Sequence, residues 1–409
     1  MKVMVVLVLA AAAGGAEPDW PQFRGPRRDG VSRETGLVKR WPDGGPKLLW
    51  RAKGLGEGFA SVAVAAGRIC TAGNVGSNTV ITALDLDGRV LWRAVNGRAY
   101  KQGRLSGSRG SPTLDGDRVY HESPHGDVVC LNAKTGKPIW SLNILKRFRG
   151  RQITWALSES LLVDGNRLIC CPGGPGAGMV ALDKATGKTL WTCKELSDRA
   201  AYASPILVEH AGVRQIVTMM FSQAVGVEAH TGRLLWRFEH GNPRGTNVPT
   251  PIYHDGHVFI DSGAGTGGRL LRLSKAGRTF SAEQVWKTDQ MDNHHGGIVL
   301  VDGLLYGSTH KKNPSKWVCL DVKTGRVMYV ARGVGKGSVT CADGMLYTLS
   351  EKGRMALVPP GPKAPKIVSQ FQIPEGGRGP VWAHPVVCGG RLYVRHGEFL
   401  YTYAIRAKR

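Results

Sequence analysis

Along most of this chain, short apolar runs alternate with turn residues and close, at regular intervals, on a bulky aromatic. One ending reads Ala83-Leu84-Asp85-Leu86-Asp87-Gly88-Arg89-Val90-Leu91-Trp92. The next reads Cys130-Leu131-Asn132-Ala133-Lys134-Thr135-Gly136-Lys137-Pro138-Ile139-Trp140. Further endings close on Trp191, Trp236 and Tyr329, with degenerate copies at Trp286 and Phe371. Each unit opens on a small-residue strand and a Gly turn, as in Ser111-Pro112-Thr113-Leu114-Asp115-Gly116-Asp117-Arg118-Val119-Tyr120. Counterparts lie at 61–70, 160–169, 250–259, 297–306, 338–347 and 384–393, with a looser one at Ser204-Pro205-Ile206-Leu207. Alternation around the Asp-Gly pairs predicts strands joined by hairpins. In the closing turn Gly supplies a positive φ, while Asp and Thr bond the turn backbone. The closing Trp is a large apolar plate between neighbouring units. Short strands repeating every roughly 40 to 50 residues predict an all-β, eight-bladed β-propeller of four-stranded antiparallel blades.

The two ends of the chain complete the count. The last unit has strands around 385–387, 391–394 and 399–403 but no closing Trp strand after them. Pro46-Lys47-Leu48-Leu49-Trp50-Arg51 is a closing strand with no blade before it. Joining them predicts a ring closed by an N-terminal strand in the C-terminal blade, which hides otherwise exposed sheet edges. Residues 46–409 are therefore expected to form one propeller, preceded by a leader over 17–45. Lys2, the apolar run 3–13 and Gly14-Gly15-Ala16 read as a signal peptide over 1–16, too short to span a membrane. No Cys follows that cut to carry a lipid. A soluble exported protein, periplasmic or extracellular, is expected, with no transmembrane segment.

Charge and cysteine content narrow the partners. Lys and Arg number 55 against 31 Asp and Glu, a formal charge of +24. The basic residues are scattered through turns rather than massed beside aromatics, so nucleic acid is not the expected partner. A protein, a peptide or an anionic glycan suits such a surface. Eight cysteines in an oxidising compartment invite disulfides. Yet Cys130 and Cys319 fill a repeat position that Ala83 and Ala181 also fill, and Cys70, Cys341 and Cys388 replace apolar strand residues. Cys170 and Cys171 are expected to be successive strand residues pointing to opposite faces.

Ligands of propellers sit where loops converge on the innermost strands. Two residues before the repeat's Ser position lie Phe59, Arg109, Ser158, Tyr202, Val248, His295, Lys336 and Trp382. One further back are Asn247 and His294, and His384 replaces the small anchor residue itself. Arg109, Tyr202, Asn247, His294, His295, Lys336, Trp382 and His384 are therefore the candidate ligand-binding set. Cations and aromatic faces suit an anionic or sugar-like ligand. The alternative is a wide, water-filled channel whose polar side chains satisfy one another. Adjacent histidines on a strand point apart, and no His-x-x-x-His or Cys-x-x-Cys motif occurs, so no metal site is expected. No Gly-x-Ser-x-Gly or comparable activated nucleophile appears, so no catalytic residue is assigned.

The ending Ala181-Leu182-Asp183-Lys184-Ala185-Thr186-Gly187-Lys188-Thr189-Leu190-Trp191 resembles the repeat of the pyrroloquinoline-quinone-like (PQQ-like) propellers. That resemblance spans nearly all of the chain beyond residue 16. The leader Trp20-Pro21-Gln22-Phe23-Arg24-Gly25-Pro26, with Asp29-Gly30, resembles the start of exported bacterial propellers of the same group. One branch, the quinoprotein dehydrogenases, implies PQQ, a calcium on carboxylate and amide ligands, and a catalytic Asp. This chain has no Trp-Asp element of the kind that carries that Asp. Its channel positions offer Arg, Lys and His where calcium takes Glu and Asp. Cys170-Cys171 is similar to the vicinal disulfide of some of those enzymes, but Pro172-Gly173-Gly174 follows it here. The other branch, which includes the outer-membrane assembly factor BamB, is a non-catalytic scaffold and implies a protein partner. The expectation is a monomeric, exported binding or scaffold propeller with no resident cofactor, working through its channel mouth. The alternative is a PQQ- and calcium-dependent alcohol or sugar oxidoreductase.

Overall fold

The computed structural model describes residues 19–364 and 366–407. The signal peptide expected over residues 1–16 lies outside the described residues. Eight sheets surround one axis. Blade 1 runs outward from the channel as Ala63–Ala65, Arg68–Val75, Asn78–Asp85 and Val90–Arg98. Blades 2 to 7 begin with the inner strands Thr113–Asp115, Leu162–Asp164, Ile206–His210, Ile252–His254, Ile298–Val301 and Gly337–Ala342. Blade 8 combines Val386–Cys388, Arg391–His396 and Phe399–Ala404 with Leu48–Ala52 from the other end of the chain. Trp50 lies opposite Thr402 and Ala52 opposite Leu400, which closes the ring as the unpaired ends predict. Arg395 clasps the seam between blades 8 and 1. It is buried and donates to the carbonyls of Ala60 (2.9 Å), Ala72 (2.6 Å) and Gly56 (3.1 Å) and to the Thr71 hydroxyl.

The repeated residues have interlocking jobs. Trp92 of blade 1 donates from its indole Nε1 to Ala133 O at 2.9 Å, in the closing turn of blade 2. Gly136 of that turn lies beneath the same ring, where a Cβ would come within 2.6 Å of it, and its φ is +70°. Trp50, Trp140, Trp191 and Trp286 repeat the contact on the turns at Gly88, Gly187, Gly232 and Gly325. Trp236 faces blade 5, whose outer strands join through a plain hairpin, and it bonds Gln215 of its own blade instead. The opening serines form a second chain: Ser61 N donates to Ser111 Oγ (2.9 Å), Ser111 N to Ser160 Oγ (2.9 Å), and Ser160 N to Ser204 Oγ (3.0 Å). All eight cysteines are buried free thiols, with Cys170 and Cys171 facing different inter-blade cores.

The leader packs into the ring. Trp20 pairs with Val64 on the inner strand of blade 1, and Leu114 N donates to Pro21 O at 2.7 Å. Val31–Ser32 returns alongside Gly337–Ala342 of blade 7 as a parallel fifth strand. Both contacts lie near the inner hairpins, so residues 20–32 rise into the channel and turn back. The turn is pinned by two buried guanidinium groups. Arg28 donates to Ser160 O (2.9 Å), Leu161 O (2.5 Å) and Pro205 O (2.8 Å), and Arg24 donates to Asp29 O (2.9 Å) and to Ile298 O. These bonds supply inner-strand carbonyls with donors that an empty channel would leave to water. The channel is therefore plugged by the chain itself rather than wide and water-filled.

Candidate functional site

Above this plug the mouth narrows to a cup of about 500 Å³. Phe23, carried on the leader, forms its base, while Phe59, Trp155, Tyr202, Trp382, His294, His295 and His310 form aromatic walls. Arg109 lies among them and Arg244 and Lys311 stand at the rim. No carboxylate is among these lining residues.

Each wall is held by specific bonds. Arg109 donates to Gly107 O (3.1 Å) and Leu105 O (2.8 Å), with its guanidinium 5.5 Å from the Phe59 ring and 5.0 Å from that of Tyr100. Burial lowers its pKa, yet it stays a cation, because an arginine titrates far above neutrality. The Tyr202 hydroxyl accepts from Trp155 N at 3.1 Å, which locks two walls together. Trp382 donates from Nε1 to Glu351 at 2.6 Å and stacks on His295, ring centroids 4.7 Å apart. The Lys336 ammonium pairs with the same carboxylate at 3.1 Å. His294 stacks on His310 with centroids 4.6 Å apart. Burial, reinforced by Lys336, pushes His294 down to about 3 and His295 well below its ordinary value, so both rings are neutral near pH 7. Asp292 fixes the remaining wall. Its carboxylate accepts from the backbone of His310 (2.9 Å), Lys311 (2.7 Å) and Gly265 (3.1 Å).

Arg109, Tyr202, His294, His295 and Trp382 line the cup as repeat alignment places them. Asn247, Lys336 and His384 do not. Asn247 is buried and donates to Met220 O (2.7 Å) and Phe221 O (2.9 Å), joining strand ends. Lys336 is turned behind Trp382 onto Glu351. His384 lies under Phe23, ring centroids 5.0 Å apart, with Nε2 2.8 Å from His295 O. Alignment gives a residue's height along the channel but not what covers it. It also passes over Phe23, His310, Lys311 and Arg244. The polar, basic run Thr309-His310-Lys311-Lys312-Asn313 between two strands is the signal that could have located the second wall.

The donor set does not fit a calcium-held quinone. Calcium needs several oxygen ligands, usually with carboxylates among them. Glu351 and Asp292, which brace the cup's walls, are committed to the bonds just described. Cys170 and Cys171 are absent from its lining. What the cup offers is a cationic, aromatic recess with neutral imidazoles.

Among curated proteins, the chain is 25% identical over 219 residues to the quinoprotein alcohol dehydrogenase PedH of Pseudomonas putida, covering 52% of this chain and 34% of PedH. It is 22% identical over 275 residues to the outer membrane protein assembly factor BamB of Burkholderia pseudomallei, covering 66% of this chain and 65% of the relative. These matches span between about a third and two-thirds of the relatives' own length. The solved structure of BamB from Moraxella catarrhalis superposes with a TM-score of 0.65 at 14% identity, over 89% of this chain and 98% of that one. At that identity the likeness shows the fold alone. The profile of the family described as outer membrane protein assembly factor BamB matches residues 36–170 and 76–330. With blade number, closure and repeat all in agreement, the chain belongs to this family of PQQ-like β-propellers.

Proposed function

We propose that this protein is an exported, non-catalytic scaffold propeller whose channel-mouth cup recognises an acidic segment of a protein partner. The observation that carries this reading is the cup's lining: Arg109, Arg244 and Lys311 set among aromatic rings with no carboxylate. A part-buried cation on aromatic faces, with two exposed cations at the rim, favours carboxylates flanked by apolar or aromatic groups. The relatives that bear the assembly-factor name support the scaffold role, and the apolar run at residues 3–13 supports export. Among the described residues, no helix is long and apolar enough to cross a membrane.

Similarity to PedH keeps a second reading in play, that of a quinoprotein oxidoreductase. Two binding measurements separate them. A soluble glutamate–tyrosine copolymer is expected to bind the wild type saturably. Arg109→Ala should weaken that binding about tenfold, about 1.4 kcal/mol, as loss of one buried charged anchor does. Lys188→Ala, in an exposed turn on the blade rim, should leave it unchanged. Equal loss in both variants would mean that net charge, not the cup, is read. Tight binding of added PQQ with calcium, accompanied by alcohol-dependent dye reduction, would replace the scaffold reading with the oxidoreductase one.

A further inference from the structure

The cup exists because the leader closes it. Every other wall residue comes from a blade or from a loop between strands, whereas Phe23 is delivered by a segment that precedes the ring. Its neighbours show how the ring is kept at that height. Trp20 is buried against blade 1 and packs on Gly25, whose φ of +84° reverses the chain and whose Cβ position lies 3.0 Å from the indole. Arg24 and Arg28, both buried, then tie the turn to blades 3, 4 and 6 through backbone carbonyls. Gly30 O accepts from Cys341 N at 2.8 Å on blade 7. Phe23 is thus suspended from at least five blades, yet it is only half-buried itself. Its ring packs against His384 at a tilt of 55° and also lines the cup. Plugging a channel requires the two arginines and the strand pairing, but it does not require an aromatic with an exposed face at the tip.

We propose that residues 20–32 are a built-in part of the binding site and that Phe23 is its specificity-determining floor, limiting the cup to one flat, negatively charged group. This rests on the reading of the mouth as the binding surface and adds the shape of what enters. The floor sets depth and Arg109 sets charge. Phe59 and His295, each packed on Trp382 with ring centroids 4.7 Å apart, form with it one continuous aromatic wall for a flat group to lie against. Below Phe23 lie His384 and the Arg24 guanidinium, which truncation of the ring would uncover.

The test uses two fluorescent aromatic anions of different length, 1-anilinonaphthalene-8-sulfonate and its covalent dimer, titrated against the full chain. The wild type is expected to bind the monomeric probe at one Arg109-dependent site. Phe23→Ala should shift the affinity ratio toward the longer dimer by about tenfold. Phe23→Tyr should keep the wild-type ratio within about twofold. A melting scan checks that the ring is intact. If the Ala variant fails to fold, Phe23→Leu retains an apolar tip and should shift the ratio in the same direction by about threefold. An unchanged ratio in folded Ala or Leu variants overturns the role of Phe23 while leaving the mouth as the binding surface. Absence of any Arg109-dependent site in the wild type overturns the flat-anion assignment. Whether the mouth reading itself survives is then decided separately, by the copolymer titration.

Discussion

Buried titratable side chains set how this ring responds to pH, and they pull in opposite directions. Burial pushes His294 and His384 down to about 3 and His121 and His240 down to about 4, so the folded state holds them neutral. Their folded pKa lies below the unfolded value near 6.5. The stability they allow is present above that value and is lost as pH falls from about 6.5 toward 3. Glu122 and Glu159 act with the other sign. Burial, then their mutual repulsion, raises Glu122 well above 4.5, and burial raises Glu159 to about 7. A group whose folded pKa is raised contributes fully below its unfolded value, and that contribution is lost as pH rises through the folded one. Neither Glu122 oxygen has a hydrogen-bond partner. Glu122→Gln, which keeps the shape of the protonated acid, should therefore melt at least about 2 °C higher than wild type at pH 8. At pH 5 the two should melt together, and calorimetry at both values checks this. None of this was legible in the sequence. Glu122 and Glu159 look like ordinary polar strand-end residues until the blades pack over them.

At the scale of elements, the repeat states more than strand positions, although part of its meaning appears only when neighbouring blades are in place. Turn chemistry alone explains why Gly136 has a positive φ. That it must also lack a Cβ because Trp92 of the preceding blade lies on it requires the assembled interface. Gly136→Ala thus meets backbone strain and a ring clash together and should cost about 2–3 kcal/mol, read as a lower denaturation midpoint with the slope unchanged. A β-bulge is likewise not legible in the repeat. Before Trp50, Trp92, Trp140, Trp191 and Trp286 the preceding residue is the extra one in the ladder, so Leu49, Leu91, Ile139, Leu190 and Val285 turn outward and remain exposed. In the sequence they extend an apolar run and read as core. In the sheet they let the next ring face the neighbouring blade, and they disrupt the outer edge against pairing with other chains.

Across the whole molecule, ring closure was legible because a closing strand without a blade and a blade without a closing strand can only be reconciled by pairing. The plug was not legible, because residues 20–32 carry no strand periodicity and their two arginines look like solvated surface charge. Their partners are backbone carbonyls on three different blades and on the leader itself, which no local pattern specifies. The account as a whole depends on this internal occupant, since it turns an eight-bladed channel into a blind cup with Phe23 as its base. Amide hydrogen exchange tests it most directly. The amides of Trp20, Arg28 and Gly30 donate to Val64 O, Gly25 O and Arg24 O inside the channel. Peptides covering residues 20–32 should be protected as strongly as the inner strand Gly337–Ala342 and should lose protection together with it as denaturant is added. Exchange of the leader within seconds, beside a protected ring, would contradict the plugged channel and the closed cup above it.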